Sequence, residues 1–349
     1  MEANKRPLRL GVVGASFISQ QCHLPSFASL PECELVAMAD MREDLLEAVA
    51  NRYAIPHRYT SHLDMIRECD LDGVIIVVAR PHTAEITRDC LSAKLHVLTE
   101  KPMALGLEQA NHLAEIAKKH DLVYSVGYMK RFDVGVLEAR KIIEERVQRG
   151  EQPITVAAHC YAGNSYCNPF GDLQSEQQRR MGASGWEPTF EGLKPELQEG
   201  YLAYLNTFSH TVNLLRFLFG ASGTVQHVAL DQEGQGVVTL ELNGICIALS
   251  TAYTQLHGWN ESVDVVYPDA RVTLTLPPPL LKNTAAEVRY EQGGDQPHQI
   301  TQPLPNWSWA FIEQARGFVD AVVNREQPVN SGADSSTDVE MIEEIWKRI

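Results

Sequence analysis

No apolar run in this 349-residue chain approaches the ~20 residues that a membrane helix needs. Its charged start, Met1 to Leu8, is not followed by the apolar stretch of a secretory leader. The chain therefore reads as soluble and cytoplasmic, with no membrane partner. Blocks of basic charge are missing too: the formal net charge is −15, with acidic and basic residues interspersed. That balance argues against a phosphate backbone as partner, so no nucleic acid is expected. C-x-x-C pairs are absent as well. Cys22, Cys33, Cys69, Cys90, Cys160, Cys167 and Cys246 form an odd, scattered set with no His-rich neighbour. They read as reduced thiols rather than zinc ligands, and no metal site is expected. Nor is there an internal repeat.

What is present is a change of pattern along the chain. The first third alternates short β-branched runs (Leu10 to Val13, Leu35 to Ala39, Val74 to Val78, His96 to Thr99, Val123 to Val126) with amphipathic stretches long enough to be crossover helices. Such alternation predicts an α/β Rossmann domain over residues 1–127. After a helix around Val136 to Val147, strands follow one another: Thr155 to Tyr161, Thr224 to Leu230, Val237 to Leu242, Ile245 to Thr251, Ser262 to Val266, Ala270 to Leu276 and Glu287 to Tyr290. Asn243-Gly244 marks a hairpin between two of them. Residues 128–349 are thus expected to form an α+β domain with a large, mainly antiparallel open sheet. Ala162 to Tyr201, rich in Gly, Asn, Gln, Pro and aromatics, is too long for a simple connection and is read as a lid or binding loop.

The first strand leads into Gly14-Ala15-Ser16-Phe17-Ile18-Ser19, where the dinucleotide fingerprint G-x-G-x-x-G is met as Gly14, Ser16 and Ser19. The first glycine permits the turn, the second lets pyrophosphate approach, and the third allows helix to pack on strand. Serine satisfies the third need. At the second its hydroxyl can instead donate to phosphate at a helix N-terminus, beside Phe17 and Ile18. Asp40 ends the second strand, a little beyond the ~20-residue offset at which an acid receives the adenine ribose hydroxyls. NAD is the expected cofactor, with NADP admitted if Arg42 meets its extra phosphate. Arg80, His82, Glu100 and Lys101 stand at carboxyl ends of later strands, where an open α/β sheet binds its ligands. His23 reads as helix packing rather than as a catalyst.

Glu100-Lys101-Pro102 is the most specific motif. Together with the fingerprint, the segment Gly127-Tyr128-Met129-Lys130-Arg131-Phe132-Asp133 and His210, it resembles the glucose-fructose oxidoreductase, inositol dehydrogenase and MocA family (Gfo/Idh/MocA) over essentially the whole chain. The resemblance implies an enzyme using NAD or NADP on a sugar or polyol, assembled as a homodimer or homotetramer through the second-domain sheet. It makes Lys101 the residue touching both nicotinamide ribose and the reacting hydroxyl, and Met129, Lys130 and Arg131 the substrate wall. The family's D-x-x-x-H-x-x-D is met here as Asn206, His210 and Asn213.

Those three residues would share a stripe, at i, i+4 and i+7, of one apolar helix from Leu205 to Phe219. A polar stripe on a buried helix needs partners, which a polyhydroxylated substrate or an internal network would supply. Oxidising a secondary alcohol needs a base for the hydroxyl proton, and Lys101 is the first choice, since desolvation and like charge bring an ammonium toward the operating pH. His210 is the alternative base, oriented by Asn206. Tyr161, Trp186 and Tyr201 are candidates to stack on a sugar face. Two other functions share these residues: a redox lyase or glycosidase that recycles its NADH internally, and a cofactor-binding regulator that has lost catalysis.

Overall fold

The computed structural model describes residues 6–164, 171–177, 190–221, 223–295 and 297–349. Cys167 and Trp186 lie outside them. The chain forms two compact units, the first from Met1–Gly127, Pro169–Pro188 and Phe311–Ser336, the second from Tyr128–Asn168, Thr189–Ala310 and Thr337–Ile349.

In the first unit, β1 (Leu8–Val13), β2 (Cys33–Ala39), β3 (His57–Tyr59), β4 (Gly73–Ile76), β5 (His96–Thr99) and β6 (Tyr124–Val126) make one parallel sheet in the order β3-β2-β1-β4-β5-β6. Helices α1 (Leu24–Ala28), α2 (Glu43–Arg52), α3 (His62–Glu68), α4 (Arg80–Ser92) and α5 (Leu107–Lys119) connect them. The strands are apolar because both sheet faces are covered: every residue of β4 and β6 is buried. Strand β3 and helices α1 and α3 escape a sequence reading, since segments this short show too little periodicity.

One part of the expected domain division is corrected. Residues 311–336 belong to the first unit rather than the second. Their helix sends Ala315, Phe318, Val319 and Val322 into one cluster with Leu10, Val12, Phe27 and Leu30. Phe27 and Phe318 meet edge to face at 6.1 Å. Further on, Asn330 and Ser331 cover the open edge of β6: the Val126 N–H donates to the Asn330 carbonyl at 2.9 Å and the Ser125 hydroxyl to Asn330 Oδ1 at 2.8 Å. A periodic stretch reports that one face is buried, but not which core receives it. Residues 171–177 also join the first unit, where Leu173 exchanges two hydrogen bonds with the Gln20 amide.

The second unit carries α6 (Val134–Gln148), β7 (Thr155–Ala162), α7 (Gln198–Thr207), α8 (Ser209–Phe219), β8 (Gly223–Leu230), β9 (Gly236–Leu242), β10 (Ile245–Tyr253), β11 (Asn260–Val266), β12 (Ala270–Leu276), β13 (Glu287–Gln292) and β14 (Gln299–Thr301). Helix α9 (Ala310–Asn324) is the one returned to the first unit, and α10 (Gly332–Trp346) ends in the second. The eight strands run β14-β13-β12-β11-β7-β10-β9-β8, antiparallel except for the parallel pair β7 and β10. Asn243 and Gly244 have φ of 48° and 79°, the positive values that a two-residue turn between β9 and β10 demands. One sheet face is covered: Val156, Ala158 and Cys160 of β7 are buried, while the alternate residues Thr155 and Ala157 are exposed.

No helix among the described residues is long and apolar enough to cross a membrane.

Candidate active site

Strand β1 hands the chain to Gly14, whose φ is 100°. A Cβ there would lie 2.0 Å from the Val77 carbonyl oxygen, so the turn past the end of β4 requires glycine. The Gly14 N–H donates to the Ala39 carbonyl and the Ala15 N–H to the Asp40 carboxylate, each at 2.8 Å, tying the turn to the end of β2. Ser16 is half-buried beside the turn, Phe17 and Ile18 follow it half-buried, and Ser19 is fully buried, as a packing position should be. A cleft of about 270 Å³ opens here, lined among others by Gly14, Ser16, Asp40 and Arg42. Ser16 does not close it.

Other wall residues were not legible in the sequence. Strand β4 stops at Ile76, so Val78 and Ala79 line the cleft, whereas Arg80 and His82 sit in the first turn of α4. Thr60, Ser61 and His62, after the unforeseen β3, complete the wall.

Burial by itself would raise the Asp40 carboxyl, but hydrogen bonds from the Arg42 guanidinium and from the backbone N–H groups of Ala15 and Arg42 hold it below the ordinary carboxylate range. A glycine turn that only this residue fits, an acid at the end of β2 and a cleft between them suit a dinucleotide's pyrophosphate and adenosine.

Glu100 and Lys101 follow β5. Glu100 Oε1 meets Nε2 of the buried His23 at 2.7 Å, and Oε2 accepts the Lys101 backbone N–H at 3.1 Å. Burial would raise this carboxyl, yet the bond to His23 and the charges of His23 and Lys101 keep it lowered. The ring of His23 stands edge-on to Phe311 at 5.7 Å. Gly127 closes the arrangement, since a Cβ there would come within 3.1 Å of the Glu100 carboxylate. Lys101 itself is half-buried, so its ammonium projects from a backbone that His23 and Glu100 fix. His23 is thus more than helix packing.

The second unit treats its expected site residues differently. The single helix expected from Leu205 to Phe219 is divided at Phe208, so Asn206 closes α7 while His210 and Asn213 lie on α8. Tyr128 packs edge-on against His210 at 5.7 Å, and His210 and Asn206 are half-buried. Asn213 is inside: it accepts from Arg131 Nε at 2.8 Å and donates to Asp338 of α10 at 2.7 Å. Asp338 also pairs with Arg216. Lys130 donates to Glu261 at 2.6 Å, and Glu261 also accepts from Thr211 at 2.9 Å and Trp259 at 2.9 Å.

Met129, Lys130 and Arg131 are each at most 5 % exposed. For Lys130, Arg131 and Asn213 the expected substrate wall is therefore corrected to a buried framework, because an unpaired buried charge costs more than the internal pairing. Asp133 completes the motif as the N-cap of α6, accepting from the N–H groups of Gly135 and Val136. Tyr161 is corrected too. It stacks on His159 at 4.5 Å, on the sheet face opposite the Cys160 and Glu261 positions that face α8. Tyr201 packs against Phe190 and Trp346 and is fully buried.

A parallel sheet in this order, with a glycine turn after β1 and an acid after β2, is an NAD(P)-binding Rossmann domain. Residues 8–128 match the model of the oxidoreductase family with an NAD-binding Rossmann fold, Gfo/Idh/MocA. Across 342 residues the chain is 27% identical to a myo-inositol 2-dehydrogenase of Thermotoga maritima, covering 94% of this chain and 92% of that one. It is 28% identical to a D-glucoside 3-dehydrogenase of Escherichia coli over 43% of each chain. Among solved structures, an aldose-aldose oxidoreductase of Caulobacter crescentus complexed with glycerol superposes with a TM-score of 0.75 at 19% identity, covering 98% of this chain and 97% of that one. A 3-ketoreductase of Actinomadura kijaniata, in complex with NADP and TDP-benzene, gives 0.74 at 19% identity over 97% and 96%. At such identities the superpositions speak for the fold alone. The likeness to the Gfo/Idh/MocA oxidoreductases in the family model is carried by residues 8–128.

Proposed function

We propose that this protein oxidises a secondary hydroxyl of a sugar or cyclic polyol, or reduces the matching ketone, with NAD(P). The observation that carries the reading is Lys101, whose backbone the buried His23 and Glu100 pair fixes at the carboxyl end of β5, in the same unit as the dinucleotide cleft. Relatives named for inositol and for a glucoside favour a polyhydroxylated ring as substrate.

When bound, the cofactor supplies a hydride acceptor at its nicotinamide ring. Lys101 Nζ takes the hydroxyl proton as the carbon becomes a carbonyl, and returns it in the reverse direction. His210, half-buried on α8, is the alternative base, with Asn206 orienting it. Asn213, Lys130 and Arg131 act from behind, as the framework that holds α8 and the Tyr128 to Asp133 segment. The reading carries a cytoplasmic location and assembly as a homodimer or homotetramer, which light scattering checks. Nicotinamide absorbance at 340 nm, followed with a sugar and polyol panel and with each cofactor, tests the activity. Net NADH or NADPH formation is the expected result. Binding of cofactor with no net turnover on any panel member would favour internal recycling or a regulator.

A further inference from the structure

The helix that carries His210 has Asn213 where the motif it resembles has a second acid, and an acid from another helix stands beside that position. The Asn213 amide acts as a relay: its Oδ1 accepts from Arg131 Nε at 2.8 Å, and its Nδ2 donates to Asp338 Oδ2 of α10 at 2.7 Å. The other Asp338 oxygen accepts from Arg216. Both oxygens are thus acceptors, the arrangement of an ionised carboxylate, against the upward pull of burial. None of these four residues is more than 4 % exposed. The relay lies one turn from His210. Tyr128 and Arg131 are three positions apart around the short helical turn Met129–Phe132, as are His210 and Asn213 on α8. The Tyr128 ring against His210 at 5.7 Å and the Arg131 bond to Asn213 are therefore successive rungs between the same two elements.

We infer that Asp338 is a positioning residue: it supplies from α10 the negative charge that position 213 lacks, and through Asn213 and Arg131 it sets where His210 stands. The inference rests on the reading of His210 as part of the site. Asn213 and Asp338 are then a matched pair. An acid at 213 would set two buried carboxylates at hydrogen-bond distance, where like charge and desolvation act together. Amides at both positions would leave the guanidiniums of Arg131 and Arg216 without that anion, in the interior where an uncompensated charge costs most. Exchanging the two residues keeps one carboxylate and one amide, and reverses the relay without removing it.

The test compares Asn213→Asp, Asp338→Asn and the double variant on the full-length chain, by kcat on the sugar and polyol panel, NADH Kd and urea midpoint. Asn213→Asp rebuilds the motif's acid, yet it is expected to lower kcat roughly 10–100-fold, as misplacement of a site side chain does, and Asp338→Asn likewise. Each single change should lower the urea midpoint by about 1 M, while NADH Kd stays within about threefold, since the dinucleotide cleft is untouched. The double variant should return kcat to within about threefold of the unaltered protein and recover most of the midpoint. Lowered midpoints with kcat unchanged would reveal a brace for the fold alone and overturn the positioning role. A double variant no better than the worse single one, unfolded protein included, overturns the pairing. If the unaltered protein turns over no panel member, the reading of the site falls, while the three midpoints still decide the pairing.

Discussion

The two units bury the same kinds of charge for different ends. In the first, Asp40 with Arg42 pairs beside a cleft and Glu100 with His23 pairs just after β5, both at the carboxyl edge of a parallel sheet. Each carboxyl is held below its ordinary range, by partners that outweigh its burial. In the second, Asp338 and Asp133 lie in the interior, where burial outweighs Arg216 and Arg131 for the one and backbone N–H groups for the other, and both carboxyls are raised. A pair at a strand's end can be exchanged for a ligand; a pair under a helix is committed to the fold.

The largest separation of the two regions comes from activity. Lys101→Ala is expected to lower turnover by about 10²–10⁴-fold, the usual worth of a general base, while NADH binding stays within a few fold. Near-normal turnover in that variant would remove Lys101 from its role. Next in size is Lys130→Met in the second unit. It leaves Glu261 buried without its cation, and about 3–5 kcal/mol of unfolding free energy should be lost, read from urea midpoints. An unchanged midpoint would mean that Lys130 is available to a ligand after all.

The smallest effect is in pH. Asp40 and Glu100 have lowered folded values, so they add stability above the ordinary carboxylate pKa of about 4, lost as pH falls through their folded values. Asp133 and Asp338 have raised folded values, so their contribution is fully present below that pKa and is lost as pH rises through the folded values. Acidification below about pH 4 should therefore loosen the first unit before the second. Pulsed amide hydrogen exchange compares them, and simultaneous loss of protection in both would break the contrast.

His96 sharpens the same point: burial lowers its imidazole, and its Nδ1 accepts the Val123 N–H at 3.0 Å. A folded value depressed below about 6.5 gives stability that is present above that pH and lost on descent. The first unit's midpoint should accordingly begin to fall below pH 6.5, and His96→Gln, which keeps an acceptor, should flatten that slope.

Alternating apolar runs and amphipathic stretches made the parallel sheet legible, because each strand and crossover helix carries its own period over enough residues. Gly14 and Asp40 were legible for a like reason: local backbone geometry and chain position decide what they do. Lys130, Arg131 and Asn213 were not. Lys130 and Asn213 meet Glu261 and Asp338 more than a hundred residues on, and Arg131 meets Asn213 82 residues on, so a cation in the motif looks the same whether it meets a substrate or a distant side chain. Tyr161 was misread because alternation along β7 separates two faces without saying which one α8 covers.

The sequence by itself determined the longer strands and helices of the parallel sheet, the hairpin at Asn243 and Gly244, the glycine turn and the position of Lys101 at a strand's end, since these depend on periodicity and backbone torsion within a few residues. Only the tertiary structure decided that α9 completes the first core, that Arg42 masks Asp40, and that His23 anchors Glu100. Those outcomes turn on which distant side chains share a buried space. There, each unsatisfied charge or apolar face is stabilised by whatever neighbour packing brings to it.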